Sequence, residues 1–337
     1  MDDKINSKGN ITITDVAEAL GVSKTTVSRA ISGKGRIGSA TRKKVLTYIE
    51  QHNYKPSTLA KGLAQSKTYN LAVTIPSDCG MSEQLFFQNV LLRMCNYLSI
   101  RDYDVVVASI TDNDISNLER IVSHHKVDGV IVTRTYKHDK VVKYLKKSHV
   151  PFLTLGICED EDVTQIDCDH VEGCRELTSL LIRQGLRKIG LIGGDTRHIV
   201  TMSRYQGYVE GFLENDMEVD KTLVFENATT PVLVENAVEE LITKNVDCIL
   251  CMDDSICICV LHKCKQDGIR IPTDLKLASF FNSSILENNL LSLTCLNFDC
   301  NEEAILAAKI MLDLLEGKEV AKVTKLGYQV IINNSTK

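Results

Sequence analysis

Thr12-Ile-Thr-Asp15-Val-Ala-Glu-Ala-Leu20-Gly21-Val-Ser23-Lys-Thr-Thr-Val-Ser-Arg29-Ala-Ile31 reads as helix, tight turn, helix. Thr12 is placed to cap a first helix, and Asp15 puts a negative charge in that helix's positive first turn. Val16, Ala17 and Leu20 share a narrow apolar face. Gly21 lets the chain turn, and Ser23 can cap a second helix that carries Val27, Ala30 and Ile31 inward. What this second helix leaves outside is Lys24, Thr25, Thr26, Ser28 and Arg29, all hydrogen-bond donors with no acid among them. That face suits a helix lying in the major groove of DNA. The plainer alternative is a generic helical hairpin, which would not explain so one-sided a surface.

Downstream, Ser32-Gly33-Lys34-Gly35-Arg36 forms a basic loop suited to phosphate. A third helix is predicted from Gly38 or Ser39 to Asn53, with Val45, Leu46 and Ile49 inward, Arg42, Lys43 and Lys44 outward, and Pro56 as its stop. Thr14-Asp15-Val16-Ala17, Gly21-Val22-Ser23, Thr26-Val27-Ser28-Arg29, Thr41-Arg42, Val45 and Asn53-Tyr54-Lys55-Pro56 together resemble the N-terminal headpiece of the LacI/GalR family of bacterial transcription regulators. The resemblance implies that Ser23, Lys24, Thr25, Thr26, Ser28, Arg29, Arg36 and Thr41 contact DNA. It further implies that residues 57–68 are a hinge helix whose Ala60 and Leu63 enter the minor groove when two copies meet. Gly62 weakens such a helix by about 1 kcal/mol relative to alanine.

Charge divides the chain in the same place. The 337 residues carry a net charge of −5, yet residues 1–68 hold 12 Lys/Arg against 5 Asp/Glu, leaving 27 against 39 for the remainder. One end suits a polyanion and the other does not. The opening Met1-Asp-Asp-Lys-Ile-Asn-Ser-Lys8 has no apolar core, which predicts neither signal peptide nor membrane anchor and a cytoplasmic protein. Twelve cysteines are read as reduced thiols acting as small hydrophobes rather than a disulfide framework. Cys248 and Cys251, with Cys257, Cys259, Cys264 and His262 nearby, could be drawn as a metal site. The first pair falls in an apolar strand that would point its members to opposite faces, so no metal and no cofactor are expected.

From Tyr69 onward, apolar runs alternate with helical stretches: Leu71–Ile75, Val105–Ala108, Gly129–Thr133, Phe152–Leu155, Ile189–Ile192, Cys248–Cys251 and Lys276–Ala278. This alternation predicts parallel sheets flanked by helices. Val127-Asp128-Gly-Val-Ile-Val132 is echoed by Val246-Asp247-Cys-Ile-Leu-Cys251, which implies two similar α/β lobes. The expected organisation is an all-α helix-turn-helix headpiece (1–56), a hinge or linker (57–68) and a two-lobed, periplasmic-binding-protein-like effector domain (69–337). By the resemblance, lobe 1 takes about 69–166 and 298–323, and lobe 2 about 167–297 and 324–337. The crossings then fall near Ile166–Asp169, Leu296–Asp299 and Thr324, and a late helix from Asn301 to Leu315, capped by Asn301, returns to lobe 1.

Ligands in parallel α/β sheets bind beyond the carboxyl ends of strands. On that rule, with the resemblance, Ser77, Phe86, Phe87, Arg134, His198, Arg204, Asp253 and Phe281 are the candidate effector contacts. Arg204 and Asp253 could each grip two neighbouring hydroxyls, or could simply pair with each other. Ser279-Phe280-Phe281-Asn282 departs from the carboxylate-bearing family pattern, which with Arg134 suggests a small polar or anionic metabolite such as a modified or phosphorylated sugar. No dinucleotide fingerprint, phosphate-binding P-loop, nucleophile elbow or zinc-protease motif occurs, so no enzyme is expected. The expected function is a DNA-binding transcriptional regulator, a repressor of a palindromic operator. It would work as a homodimer, with a tetramer as the larger alternative, and answer to a small polar effector such as a sugar or sugar derivative. The dimer contacts are expected from the helix of Leu85–Ile100 and the one after Asp253. The rival is a transport-type metabolite-binding protein, against which the basic headpiece argues.

Overall fold

The computed structural model describes residues 11–33, 35–54, 62, 65–287 and 291–337. Ala60 and Leu63, and with them most of the expected hinge, lie outside the described residues, as do Lys34, Lys55 and Pro56. The chain divides into two units, Met1–Thr68 and Tyr69–Lys337.

In the first unit, α1 (Ile13–Leu20) begins with a reciprocal cap: the Thr12 hydroxyl accepts from the Asp15 amide at 3.3 Å, and the Asp15 carboxylate accepts from the Thr12 amide at 2.7 Å. Gly21 ends the helix at φ +64, a left-handed conformation that costs glycine nothing. Ser23 caps α2 (Lys24–Ser32) by accepting from the Thr26 amide at 3.1 Å. Third comes α3 (Ser39–Gln51). Val16, Ala17, Val27, Ala30, Val45 and Tyr54 form a closed core. Leu46 departs from expectation. It is 42% exposed, because Val45, Tyr48, Ile49 and the returning Tyr54 already fill the inward stripe of α3.

The second unit contains two six-stranded sheets. The first has the order β2 (Asp104–Ile110), β1 (Asn70–Pro76), β3 (Gly129–Val132), β4 (Phe152–Leu155), β5 (Thr164–Cys168) and β11 (Val323–Leu326), all parallel. The second repeats that order with β7 (Val224–Phe225), β6 (Ile189–Ile192), β8 (Cys248–Cys251), β9 (Lys276–Ser279), β10 (Thr294–Asn297) and β12 (Gln329–Ile331), the last antiparallel. The sequence echo has a physical cause. Asp128, just before β3, accepts from the Tyr69 amide at the mouth of β1; Asp247, just before β8, accepts from the Arg187 and Lys188 amides at the mouth of β6. Each carboxylate ties the entrances of two neighbouring strands.

β5 and β10 occupy segments read from sequence only as crossings, and both are nearly fully buried. The chain passes between sheets at Asp169, again at Phe298–Asp299, and finally at Gly327–Tyr328. That last point is three residues beyond the expected one, since Thr324 still pairs with Ile166 in the first sheet. The helix Cys300–Leu315 returns to the first lobe, where Ala304, Ala307, Ala308 and Met311 join its core. Its cap is Asp299, accepting from the Asn301 and Glu302 amides, rather than Asn301. In lobe 2, Gly207 lets the Ile199–Leu213 helix touch the His170–Arg183 helix. A Cβ at Gly207 would sit 2.3 Å from the Val171 carbonyl oxygen and 2.6 Å from the Cys174 Cβ.

Candidate functional site

Two surfaces carry the chemistry, one in each unit. In the first, Lys24, Thr25, Ser28 and Arg29 stand exposed along α2, and Val27 and Ala30 hold the opposite side in the core. Thr26 is half-buried, and its hydroxyl shares a 2.9 Å hydrogen bond with Ser23. Arg36 is exposed and Thr41 half-buried in the first turn of α3. That helix starts at Gly38 with no side-chain cap, so its leading amides have no side-chain acceptor and are left for water or a phosphate oxygen. The surface is thus a row of donors beside a helix start, rigidly placed by two capped helices and a turn.

In the second unit, a cavity of about 580 Å3 opens between the lobes. Its aromatic wall is made by Phe86 from the first lobe and Phe281 and Phe298 from the second side of the cleft. Phe86 meets Phe281 edge-on at 6.1 Å, and Phe281 stacks on Phe298 at 6.3 Å. Asn89, Asn282, Asn297 and Asn301 supply neutral polar groups. The charged residues on its lining are Asp254, Glu287 and Asp299; no basic residue is among the described ones.

The sequence-derived contacts are not all brought together here. Phe86 and Phe281 line the cavity, whereas Ser77, Phe87, Arg134, His198, Arg204 and Asp253 do not. The Ser77 hydroxyl donates to the Ile110 carbonyl. Arg134 is held within lobe 1: it donates to Glu83 at 2.7 Å and to the Tyr136 hydroxyl at 3.3 Å, and lies 5.2 Å from the centre of the Phe87 ring. Asp253 caps the Asp254–Gln266 helix through the Ile256 amide. Arg204 reaches the Met252 carbonyl at 2.9 Å and lies 5.3 Å from the centre of the Phe281 ring.

His198 belongs to a clasp between the lobes. Lys137 donates its amide to the Arg197 carbonyl at 2.9 Å, Ile199 donates to Thr135 at 3.2 Å, and the Tyr136 and His198 rings meet at 5.1 Å. Arg197 adds an ion pair to Asp112 across the same seam at 2.5 Å. Burial, helped by the Arg134 charge, pushes the His198 imidazole down to about 4, so it sits in the clasp uncharged at neutral pH.

Sequence reasoning missed Phe298 and the asparagines of the crossing segments. The signal was available only indirectly, as an apolar ring and amides at the points where the chain changes sheets. Cys248 and Cys251 are fully buried, and no group of potential metal ligands exists among the described residues. No helix of the described residues is long and apolar enough to cross a membrane.

Comparison with known proteins gives these two surfaces a common context. Residues 12–57 match the family model of bacterial regulatory proteins of the lacI family, and residues 178–336 match a periplasmic binding protein-like domain. Catabolite control protein A of Staphylococcus xylosus is 28% identical over 281 residues, covering 82% of this chain and 84% of that protein. The structure of a transcriptional regulator CelR–cellobiose complex is similar over 97% of this chain and 100% of that one, with a TM-score of 0.72 and 25% identity. A lac repressor dimer bound to operator and the anti-inducer ONPF shares the fold, with a TM-score of 0.79 at 18% identity over 97% and 99% of the two chains. With a donor-faced helix-turn-helix ahead of two matched α/β lobes, this chain belongs to the lacI family of bacterial regulatory proteins, the DNA-binding regulators of transcription.

Proposed function

We propose that the protein represses transcription from a palindromic operator as a homodimer, with each α2 in a major groove and a sugar or sugar derivative in the inter-lobe cavity as effector. The observation that carries the DNA reading is the exposed face of α2, made entirely of donors and free of acids. Lys24, Thr25 and Arg29 read base edges, and Ser23, Thr26, Ser28, Arg36 and Thr41 hold the backbone. Ala60 and Leu63 are assigned to the minor groove on the family resemblance alone.

The cavity's rings, amides and acids favour a hydroxylated ligand that is not an anion, since a phosphate there would meet carboxylates and no described lysine or arginine. This argues against a phosphorylated sugar. The cellobiose of the CelR complex is consistent with that class. Effector acts by preferring one arrangement of the lobes, and shifts the protein only by its difference in affinity for the two. The first lobe also carries a surface suited to pairing protomers: Leu92 of the Met81–Ser99 helix and Ile100, which follows it, are 52% and 81% exposed.

Binding of the dimer to a selected operator, measured against single-base variants, tests the assignment. Arg29→Ala is expected to cost about 1 to 3 kcal/mol at one base pair and relax specificity there, and Arg36→Ala to weaken every sequence alike. Equal loss on all sequences for Arg29→Ala would remove its role in base reading.

A further inference from the structure

The loop after α2 carries Gly33 and Gly35, both in the left-handed region at φ +70 and +88. Gly33 has a local reason: it ends α2, its amide donating to the Arg29 carbonyl at 3.0 Å. Gly35 ends no helix and is exposed, so no core packing asks for its bare backbone. What it touches is Arg29. A Cβ built on Gly35 would stand 3.3 Å from both Cδ and Nε of Arg29 and 3.6 Å from its Cγ, the three nearest atoms outside its own chain neighbours. The Gly35 backbone thus lies along the outer half of the arginine stem. Ile37, two residues on, is half-buried against the headpiece core and holds the loop to it.

Arg29 is exposed in the last turn of α2, and no hydrogen bond or ion pair to a described residue holds its guanidinium. Its aim therefore depends on how the stem packs. An arginine that reads a base pair presents two N–H groups to two acceptors at once, each within a window of roughly half an ångström in donor–acceptor distance. A stem free to turn about its four bonds must be fixed on binding, which weakens the contact; a stem already seated gives up less. A Cβ at 3.3 Å would force that stem to move by a few tenths of an ångström, at the atoms that carry the guanidinium.

We propose that Gly35 is a specificity-determining position: its backbone seats the Arg29 stem and so aims the guanidinium at one base pair, and any side chain there costs discrimination at that pair. This rests on the reading of Arg29 as a base-edge contact. Gly33 is the matched contrast. It is exposed and left-handed in the same loop, but a Cβ there would meet the tip of Arg42, 3.2 Å from Nη2, and not Arg29.

The test is binding of the full-length protein to a selected operator and its single-base variants. The proteins are the parent, Arg29→Ala, Gly35→Ala, Gly35→Asn, Gly33→Ala and the double variant Arg29→Ala with Gly35→Ala. Asparagine accepts left-handed backbone, so Gly35→Asn separates the bulk of a side chain from backbone strain. Arg29→Ala is expected to lose about fivefold to a hundredfold in discrimination at one base pair. Both Gly35 variants should lose about threefold or more at that same pair, stay within about twofold elsewhere, and add nothing once Arg29 is alanine. Gly33→Ala should weaken every operator alike, as any loss of headpiece stability would. Gly35 variants that lose evenly on all operators, lose nothing, or lose as much at that pair without Arg29 would overturn the seat and leave Arg29 as the base reader. Even loss for Arg29→Ala itself would overturn the base reading and the seat together.

Discussion

The DNA-reading face and the ligand cavity are built by opposite rules. The caps and the turn that shape the helix-turn-helix are each made within a few positions in the chain: Thr12 with Asp15, Gly21 at the turn, Ser23 with Thr26. The cavity joins Phe86 to Phe281 and Phe298, residues from opposite ends of the two-lobed unit. Local hydrogen-bond chemistry can be read from a string of residues, whereas a cavity wall depends on how two sheets come to face each other. The consequence is that substitutions should behave differently in the two places, through small, additive steps in the headpiece and cooperative failures or shifts in the lobes.

Gly207→Ala is the most severe way to sharpen that contrast. A Cβ there meets backbone atoms of the neighbouring helix, which cannot step aside as a side-chain tip could. A loss of about 3 kcal/mol of effector-domain stability is expected. Thermal unfolding of the full chain should show the lobes melting earlier with the headpiece transition unmoved. A lobe transition that stays put would mean the two helices separate cheaply.

Acid should act next, through the clasp. His198 is uncharged in the closed seam with its value pushed down to about 4, and once the seam opens it returns toward about 6.5. Its group therefore favours closure fully above about 6.5, and that contribution is lost as pH falls toward 4. Asp195, Arg134, Arg197, Asp78 and Tyr136 surround it. Burial pushes the Asp167 carboxyl up to about 7 and that of Glu303 up to about 8, which gives a pH dependence of the opposite sign, so the useful quantity is the difference between the parent and His198→Gln. On going from pH 7 to 5, closure measured by small-angle scattering should weaken by a factor of order ten more in the parent than in the variant. Parallel pH profiles would remove His198 from the clasp.

Ser23→Ala is the mildest. It should cost the headpiece about 1 kcal/mol by stripping the cap from α2 and weaken operator binding without changing which bases are preferred. An altered base preference would mean that Ser23 reads sequence rather than holding the helix.

Much of the fold was legible in advance. β4, β6 and β8 fall at the bounds that their apolar runs suggested, and the Asp128 and Asp247 echo marks equivalent places in the two sheets. β5, β10, β11 and β12 were not, because their residues lie at the crossings, where a strand and a linker look alike until a partner strand is known. Leu46 misled because a leucine beside Val45 fits a helical stripe by period, and only the arrival of Tyr54 decides which of the two is covered.

The sequence by itself determined the helix-turn-helix, its caps, its one-sided donor face and the presence of two α/β lobes, since each of these follows from residues that are neighbours along the chain or repeat at a fixed period. Only the tertiary structure decided that Arg204 lies behind Phe281, that Arg134 is held by Glu83, that His198 joins a seam, and that Phe298 faces the cavity. A long side chain has several reachable partners, and which one it takes is set by groups that arrive from distant segments when the lobes meet.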